Sequence, residues 1–182
     1  MTVAVHVLSA EIGLLRHYLA ALAYRTQKAL RDAPESFSEF RAGAGVRTPR
    51  ELVRHMTSVL GYAKALYEGG SYTATPLPTL ELEVIRFHSM LEDLRRLLGT
   101  TPVAAALATP ARLLQGPLAD AMTHAGQLAL LRRIAGSPVP PENFLKADIR
   151  AGNVGINQPR PVSPGRRDGT WDPRGVADED TD

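Results

Sequence analysis

Hydrophobic residues recur in alternating steps of four and three in three separate stretches of the chain. The first stretch covers residues 8–29, and the third covers residues 80–98 and stops at Gly99. The second opens with Thr48-Pro-Arg-Glu, which has the form of a capping box with proline at the first helical position, and it stops at Gly69-Gly70. A four-three repeat is typical of a helix with one buried face, so these stretches predict three long amphipathic helices.

A fourth helix is predicted from Pro117 to Ala135, closed by Gly136. Two earlier prolines, Pro102 and Pro110, each follow a threonine and favour a short helical lead-in. Pro117 would break or kink a helix that ran through it, so the main helix is expected to start there. No segment alternates at period two, which argues against a sheet. The predicted fold class is all-α, an antiparallel four-helix bundle.

The composition changes after Gly136. Residues 137–182 hold half of the 14 prolines and end in the acidic run DEDTD. This pattern predicts two parts, a bundle domain of residues 1–136 and a proline-rich C-terminal extension of residues 137–182. The chain up to about Pro161 is expected to pack on the bundle, and the chain beyond about Pro164 is expected to be largely disordered. The predicted anchors of the packed part are Phe144, Leu145, Ile149 and Val154.

Composition narrows the classes of partner. Of the 182 residues, 44% are hydrophobic, so a hydrophobic core is expected. The charged residues are 22% with a net charge of +2, so there is no strong positive potential that would favour binding to nucleic acid. There is no cysteine, which excludes disulfides, cysteine zinc sites and a cysteine nucleophile; thiol chemistry would need an external thiol. No apolar run approaches the roughly 20 residues that span a bilayer, and no signal peptide is expected. A cytoplasmic location without membrane contact is the expectation.

Three residues carry the candidate chemistry. Asp120 and His124 are four positions apart on the predicted fourth helix and therefore share a face. His55 lies on the apolar stripe of the second helix. Two imidazoles and a carboxylate from two helices can hold a divalent metal and leave positions for water or substrate. Gln127 shares the face of Asp120 and His124, where it could orient a ligand or substrate.

Each of these residues also has an ordinary structural interpretation. A histidine on an apolar stripe is often buried and hydrogen-bonded to backbone, and an Asp in the first turn of a helix complements the helix dipole.

Among the other histidines, His6 and His17 are expected on the surface, and His88 is a candidate for supporting a metal ligand by a hydrogen bond. Arg132 is expected to be solvated or to extend toward solvent.

The order of the helices, with LVRHM in the second and THAGQLALLRRIAGSPV in the fourth, resembles the DinB-like (DinB/YfiT-type) superfamily of bacterial four-helix metalloproteins. The resemblance covers roughly residues 5–155. In that superfamily a histidine of helix two and an H-x-x-x-H pair of helix four hold a divalent ion. His55 and His124 match the first and last of these positions, and Asp120 stands where histidine is usual. The resemblance implies zinc or nickel, with manganese or iron as alternatives, a low-molecular-weight thiol or other small-molecule substrate, and a homodimer.

Several functions stay open from the sequence. One is a metal-dependent hydrolase or thiol-dependent transferase that acts on a small molecule. Another is a non-catalytic binding or stress-response protein whose metal site has drifted, which the aspartate at position 120 favours. An iron oxygenase with two histidines and one carboxylate fits the ligands but not the helical fold.

Overall fold

A computed structural model of the chain describes residues 2–100 and 109–161, with side chains from Ser9 onward in the first helix. The expectations for the side chains of Leu8 and His6, for Pro102 and for residues 162–182 lie outside these residues. The described part is helical and contains no strand, as the sequence predicts. Its elements are α1 (Thr2–Leu30), a 3₁₀ turn (Glu35–Glu39), α2 (Pro49–Glu68), α3 (Leu80–Thr100), α4 (Pro110–Leu113), a π-helical turn (Leu114–Leu118) and α5 (Ala119–Ile134).

The core lies where the long helices meet. Both α1 and α2 contact both α3 and α5, an arrangement that is compatible with a helical bundle. The predicted stripe of α1 faces this core, since Leu19 and Leu22 are fully buried, whereas Leu14 on the opposite face is 72% exposed. Burial of such apolar stripes is the main stabilising contribution in a helical protein of this size. Within the described residues no helix is both long and apolar enough to cross a bilayer.

The relative direction of α2 and α3 differs from the expectation. Arg50 at the start of α2 donates a hydrogen bond to Pro78 O just before α3, and Lys64 Nζ lies 2.9 Å from Asp93 Oδ2 farther along both helices. These contacts join residues 28 and 29 positions apart, so α2 and α3 run in the same direction. The prediction of an antiparallel arrangement is therefore wrong for this pair of neighbours.

The ends of α2 are those that the sequence predicts. Thr48 Oγ1 accepts a hydrogen bond from Glu51 N at 3.2 Å, and Glu51 Oε2 accepts one from Thr48 N at 2.8 Å, which completes the capping box. The helix stops at Glu68, and Gly69 follows with a φ of 82°, a left-handed value that favours glycine. The predicted stop at Gly99 is wrong, because α3 continues to Thr100. Glycine weakens a helix but does not end one by itself.

The fourth helical segment is kinked rather than continuous. Thr109 Oγ1 accepts a hydrogen bond from Arg112 N and begins the short α4, which is the predicted lead-in. A π-helical turn follows, in which Gly116 has non-helical angles and Pro117 lacks a backbone N–H. The main helix, α5, therefore begins at Ala119, two residues after the predicted start.

Arg132 is buried, which contradicts its expected solvated position. It is only 4% exposed and donates hydrogen bonds to Ala29 O at 3.1 Å, Arg31 O at 3.0 Å and Ser137 O at 2.8 Å. The last carbonyls of a helix lack partners within the helix. Arg132 supplies those partners for α1 and so joins its C-terminal end to that of α5.

The described part of the extension contacts α1 and α3. Val154 is fully buried, and the Phe144 ring lies 3.7 Å from the Arg25 guanidinium carbon. Ile149 is half-buried and packs against the core. Leu145 was predicted as an anchor, and this is wrong, because it is 93% exposed. The segment around it has no helical or strand repeat that would place each apolar residue on one face.

Candidate metal centre

Three side chains from two helices converge at one end of α5. His55 comes from the second turn of α2, and Asp120 and His124 come from the first turns of α5. One possible ligand atom from each residue lies within 4.8 Å of the other two. The structure thus brings together all three residues that the sequence singled out, and this group could hold a metal ion.

The spacing of Asp120 and His124 suits a common ion. His124 Nε2 lies 3.3 Å from Asp120 Oδ1, because positions i and i+4 face each other across one helical turn. Two ligands that bind a tetrahedral zinc ion at about 2.0–2.1 Å are separated by about 3.3 Å. The His55 and His124 rings lie 4.8 Å apart between centroids and meet edge-on at 73°.

Gln127 contacts the nitrogen of His124 that faces away from Asp120. Its Oε1 lies 2.8 Å from His124 Nδ1, a contact that an Nδ1–H can donate. In the tautomer with the proton on Nδ1, the Nε2 that faces Asp120 is free to bind a metal. The sequence placed Gln127 on the same helical face as a residue that could orient a ligand, and the structure shows the hydrogen bond by which it does so.

The electrostatic surroundings favour a neutral His55. Burial is the main cause that lowers its pKa, the positive charge of Arg47 and the neighbouring His124 ring lower it further, and Asp120 opposes them. A pKa below the usual value of about 6.5 leaves the imidazole unprotonated at neutral pH. An unprotonated ring nitrogen is the form that binds a metal.

An open cleft of about 700 Å³ adjoins the three side chains. His55 and Asp120 lie in its wall, while His124 is buried behind them. One side of the cleft belongs to α2 and the other to the π-helical turn and the start of α5. The described lining residues are His55, Ser58, Val59, Tyr62, Gln115, Gly116, Pro117, Ala119, Asp120 and Thr123.

The wall formed by Gln115 and Gly116 could not be predicted from the hydrophobic pattern. The Gly-Pro pair in LLQGPLAD signals a break in the helix, and the break moves this stretch away from the path of a straight helix. Single π-helical turns are frequent at functional sites. The Gly-Pro pair is thus the one signal in the sequence that points to this side of the cleft.

The other described histidines do not belong to the site. His17 is exposed, as predicted. His88 is buried, its Nδ1 lies 2.7 Å from Val154 O, and its Nε2 lies 3.4 Å from Gln27 Oε1. Burial lowers the pKa of His88, which keeps the ring neutral. The expectation that His88 supports a metal ligand is wrong, because both ring nitrogens face partners outside the metal centre.

The chain matches no protein-family model, no curated protein and no solved structure. The case for a functional site therefore depends on its geometry.

Proposed function

We propose that this protein binds one divalent metal ion through His55, Asp120 and His124 and acts on a small molecule in the adjoining cleft. The observation that carries the proposal is the convergence of the three side chains beside an open cleft of about 700 Å³. Three protein ligands with a further position open to solvent are typical of catalytic zinc sites. A cleft of this volume is within the usual range for small-molecule sites.

The donor set suits zinc or nickel best, and it also accommodates manganese or iron. When bound, such an ion acts as a Lewis acid or lowers the pKa of a coordinated water or thiol toward neutrality. The side chains hold the ion and orient its ligands. His55 and His124 present ring nitrogens to the ion, Asp120 supplies a negative charge, and Gln127 holds the His124 ring in place.

A hydrolase or a thiol-dependent transferase is the reaction class that we favour. The support is the resemblance of the His55 and His124 segments to the DinB-like superfamily, together with the absence of cysteine, which requires any thiol to come from outside. The same resemblance underlies a homodimer as a further proposal, and a cytoplasmic location is proposed from the sequence.

A non-catalytic binding protein is the second candidate. The observation in its favour concerns the described lining residues of the cleft, in which His55, Asp120 and Tyr62 are the only titratable side chains. If His55 and Asp120 both bind the ion, that lining contains no carboxylate or imidazole to serve as a separate general base.

The deciding experiment compares His124→Ala with His17→Ala. Both variants and the wild type are purified without a metal-affinity tag, exposed to equal zinc, nickel or manganese, and analysed for bound metal per chain. We expect about one ion in the wild type and in His17→Ala, and a large loss in His124→Ala, because one ligand of three is removed. Circular dichroism verifies that each variant is folded.

Equal metal content in the two variants would show that the three residues are not the site. Wild-type protein without metal at neutral pH would overturn the metal-binding proposal. Metal binding without turnover of small esters or thiol-reactive electrophiles would favour the binding protein over the enzyme.

A further inference from the structure

The geometry of the cleft points to the kind of molecule that it holds. We propose that the ligand is a small monoanion with an apolar body, whose anionic head reaches the metal at His55 and Asp120 and whose body extends toward Tyr62. The inference rests on the proposed metal site and adds the ligand class to it.

The inner end of the cleft is positively charged when the metal is bound. Two neutral imidazoles, one carboxylate and a divalent ion give a net charge of +1. Asp120 is the only formally charged group among the described lining residues, so no second carboxylate opposes an incoming anion. A carboxylate or thiolate head would neutralise this end, whereas a cation would be repelled.

The walls of the cleft are mainly apolar. Apart from the ligands, the lining includes Val59, Tyr62, Pro117 and Ala119, together with the polar side chains of Ser58, Gln115 and Thr123. Tyr62 is 57% exposed, so its ring is available to contact a bound molecule. An apolar body placed here would cover surface that water covers in the free protein.

The length of the cleft along α2 sets the size of the ligand. His55, Val59 and Tyr62 are spaced i, i+4 and i+7, so they follow one face of α2 outward from the metal centre. Seven residues of helix extend about 10 Å. A carboxylate with a chain of five further carbons is about the right length to reach from the metal to the Tyr62 ring.

The test uses four simple probes on protein loaded with cobalt(II), whose visible spectrum reports a change in its ligands. Hexanoate has the proposed head and body, acetate has the head alone, and hexan-1-ol and hexylammonium have the body without an anionic head. Burial of one methylene improves binding about fourfold when complete, so four half-buried methylenes give about ten- to twentyfold. We expect hexanoate to bind about tenfold more tightly than acetate, and hexan-1-ol and hexylammonium to leave the spectrum unchanged.

A variant locates the apolar body. Tyr62→Ser should weaken hexanoate severalfold while acetate binding and metal content stay as in the wild type. Leu130→Ser, which replaces a 55% exposed leucine on α5 outside the cleft lining, is the matched control and should change neither. Pentane-1-thiol in place of hexanoate distinguishes a thiolate head from a carboxylate head, and tight binding of either one supports the proposal.

Failures of the two proposals are distinguishable. Equal affinity for hexanoate and acetate in metal-loaded protein would overturn the apolar body, and spectral changes with hexan-1-ol that match those with hexanoate would overturn the anionic head. Both results leave metal binding intact. A protein that takes up neither cobalt nor zinc, nickel or manganese would instead overturn the proposed function, and this inference with it.

Discussion

At the scale of single residues, the hydrogen bond between Gln127 and His124 has a direct consequence for metal binding. Gln127→Leu removes the acceptor for the Nδ1 proton, so the ring is no longer fixed with its Nε2 lone pair toward Asp120. Loss of such a supporting partner typically weakens metal affinity by about ten- to a hundredfold. We expect a decrease of that size when zinc affinity is measured by competition with a chromophoric chelator.

Two further variants separate this role from a general effect on the fold. Gln115→Leu makes the same chemical change at a residue that lines the cleft, and it should leave zinc affinity nearly unchanged. Gln127→Glu retains an oxygen acceptor and should restore most of the affinity. Equal weakening in Gln127→Leu and Gln115→Leu would contradict a positioning role for Gln127.

Residue patterns predicted the triad but not every partner. The i, i+4 spacing of Asp120 and His124 and the stripe that carries His55 were sufficient to bring the three together, because helical geometry determines the face on which each residue lies. They were insufficient for His88 and Arg132. Their partners are backbone carbonyls of Val154 and of the end of α1, and no periodicity in a helix specifies contacts with irregular segments.

At the scale of elements, the connection between α2 and α3 explains their shared direction. The 11 residues from Gly69 to Thr79 return along α2, with the Tyr72 ring against Gly61 and the Ala74 N–H donating to Ser58 Oγ at 3.0 Å. An extended segment of that length can reach about 35 Å, more than the roughly 30 Å of a 20-residue helix. The chain therefore returns to the start of α2 before α3 begins.

Gly61 is the point of closest approach in this connection. A Cβ added there would lie 1.9 Å from Tyr72 Cδ1, inside contact distance. Alanine favours a helix by about 0.5–1 kcal/mol over glycine, but such overpacking costs about 1–3 kcal/mol. We expect Gly61→Ala to lower the free energy of unfolding in urea by up to about 2 kcal/mol.

Gly13 provides the control for Gly61, because it lies in the interior of α1 with no atom within 4 Å of an added Cβ. Gly13→Ala should raise the free energy of unfolding by about 0.5–1 kcal/mol through helix propensity alone. Stabilisation of similar size by both substitutions would show that the connection does not pack on α2.

Local signals predicted the elements better than their assembly. The capping box at Thr48 and the glycines at positions 69 and 136 placed three helix ends, since each depends on residues within one turn. The expected antiparallel direction of α2 and α3 assumed a connection that turns at once to the next helix. Whether a connection turns or runs back depends on contacts such as Tyr72 with Gly61, which are distant in the chain and leave no periodic signal.

At the scale of the whole molecule, the described extension is held on the bundle by a buried ionic cluster. The Glu142 side chain is fully buried; Tyr24 Oη donates to its Oε1 at 2.5 Å, and Lys28 Nζ lies 2.9 Å from its Oε2. Burial, together with this carboxylate, raises the pKa of Tyr24, so the phenol remains a donor at neutral pH. Lys28 is only 9% exposed and depends on Glu142 for its counter-charge.

Glu142→Gln tests whether this cluster holds the extension in place. The amide oxygen can still accept from Tyr24, but the buried ammonium of Lys28 loses its carboxylate, and breaking a buried ion pair in this way costs about 3–5 kcal/mol. We expect a loss of unfolding free energy approaching that size in urea, and faster protease cleavage within residues 137–161.

Asp148→Asn is the matched control, because its pair with Arg150 is exposed and contributes about 0–1 kcal/mol. Similar small effects of the two substitutions would mean that apolar contacts such as buried Val154, and not the ion pair, dock the extension.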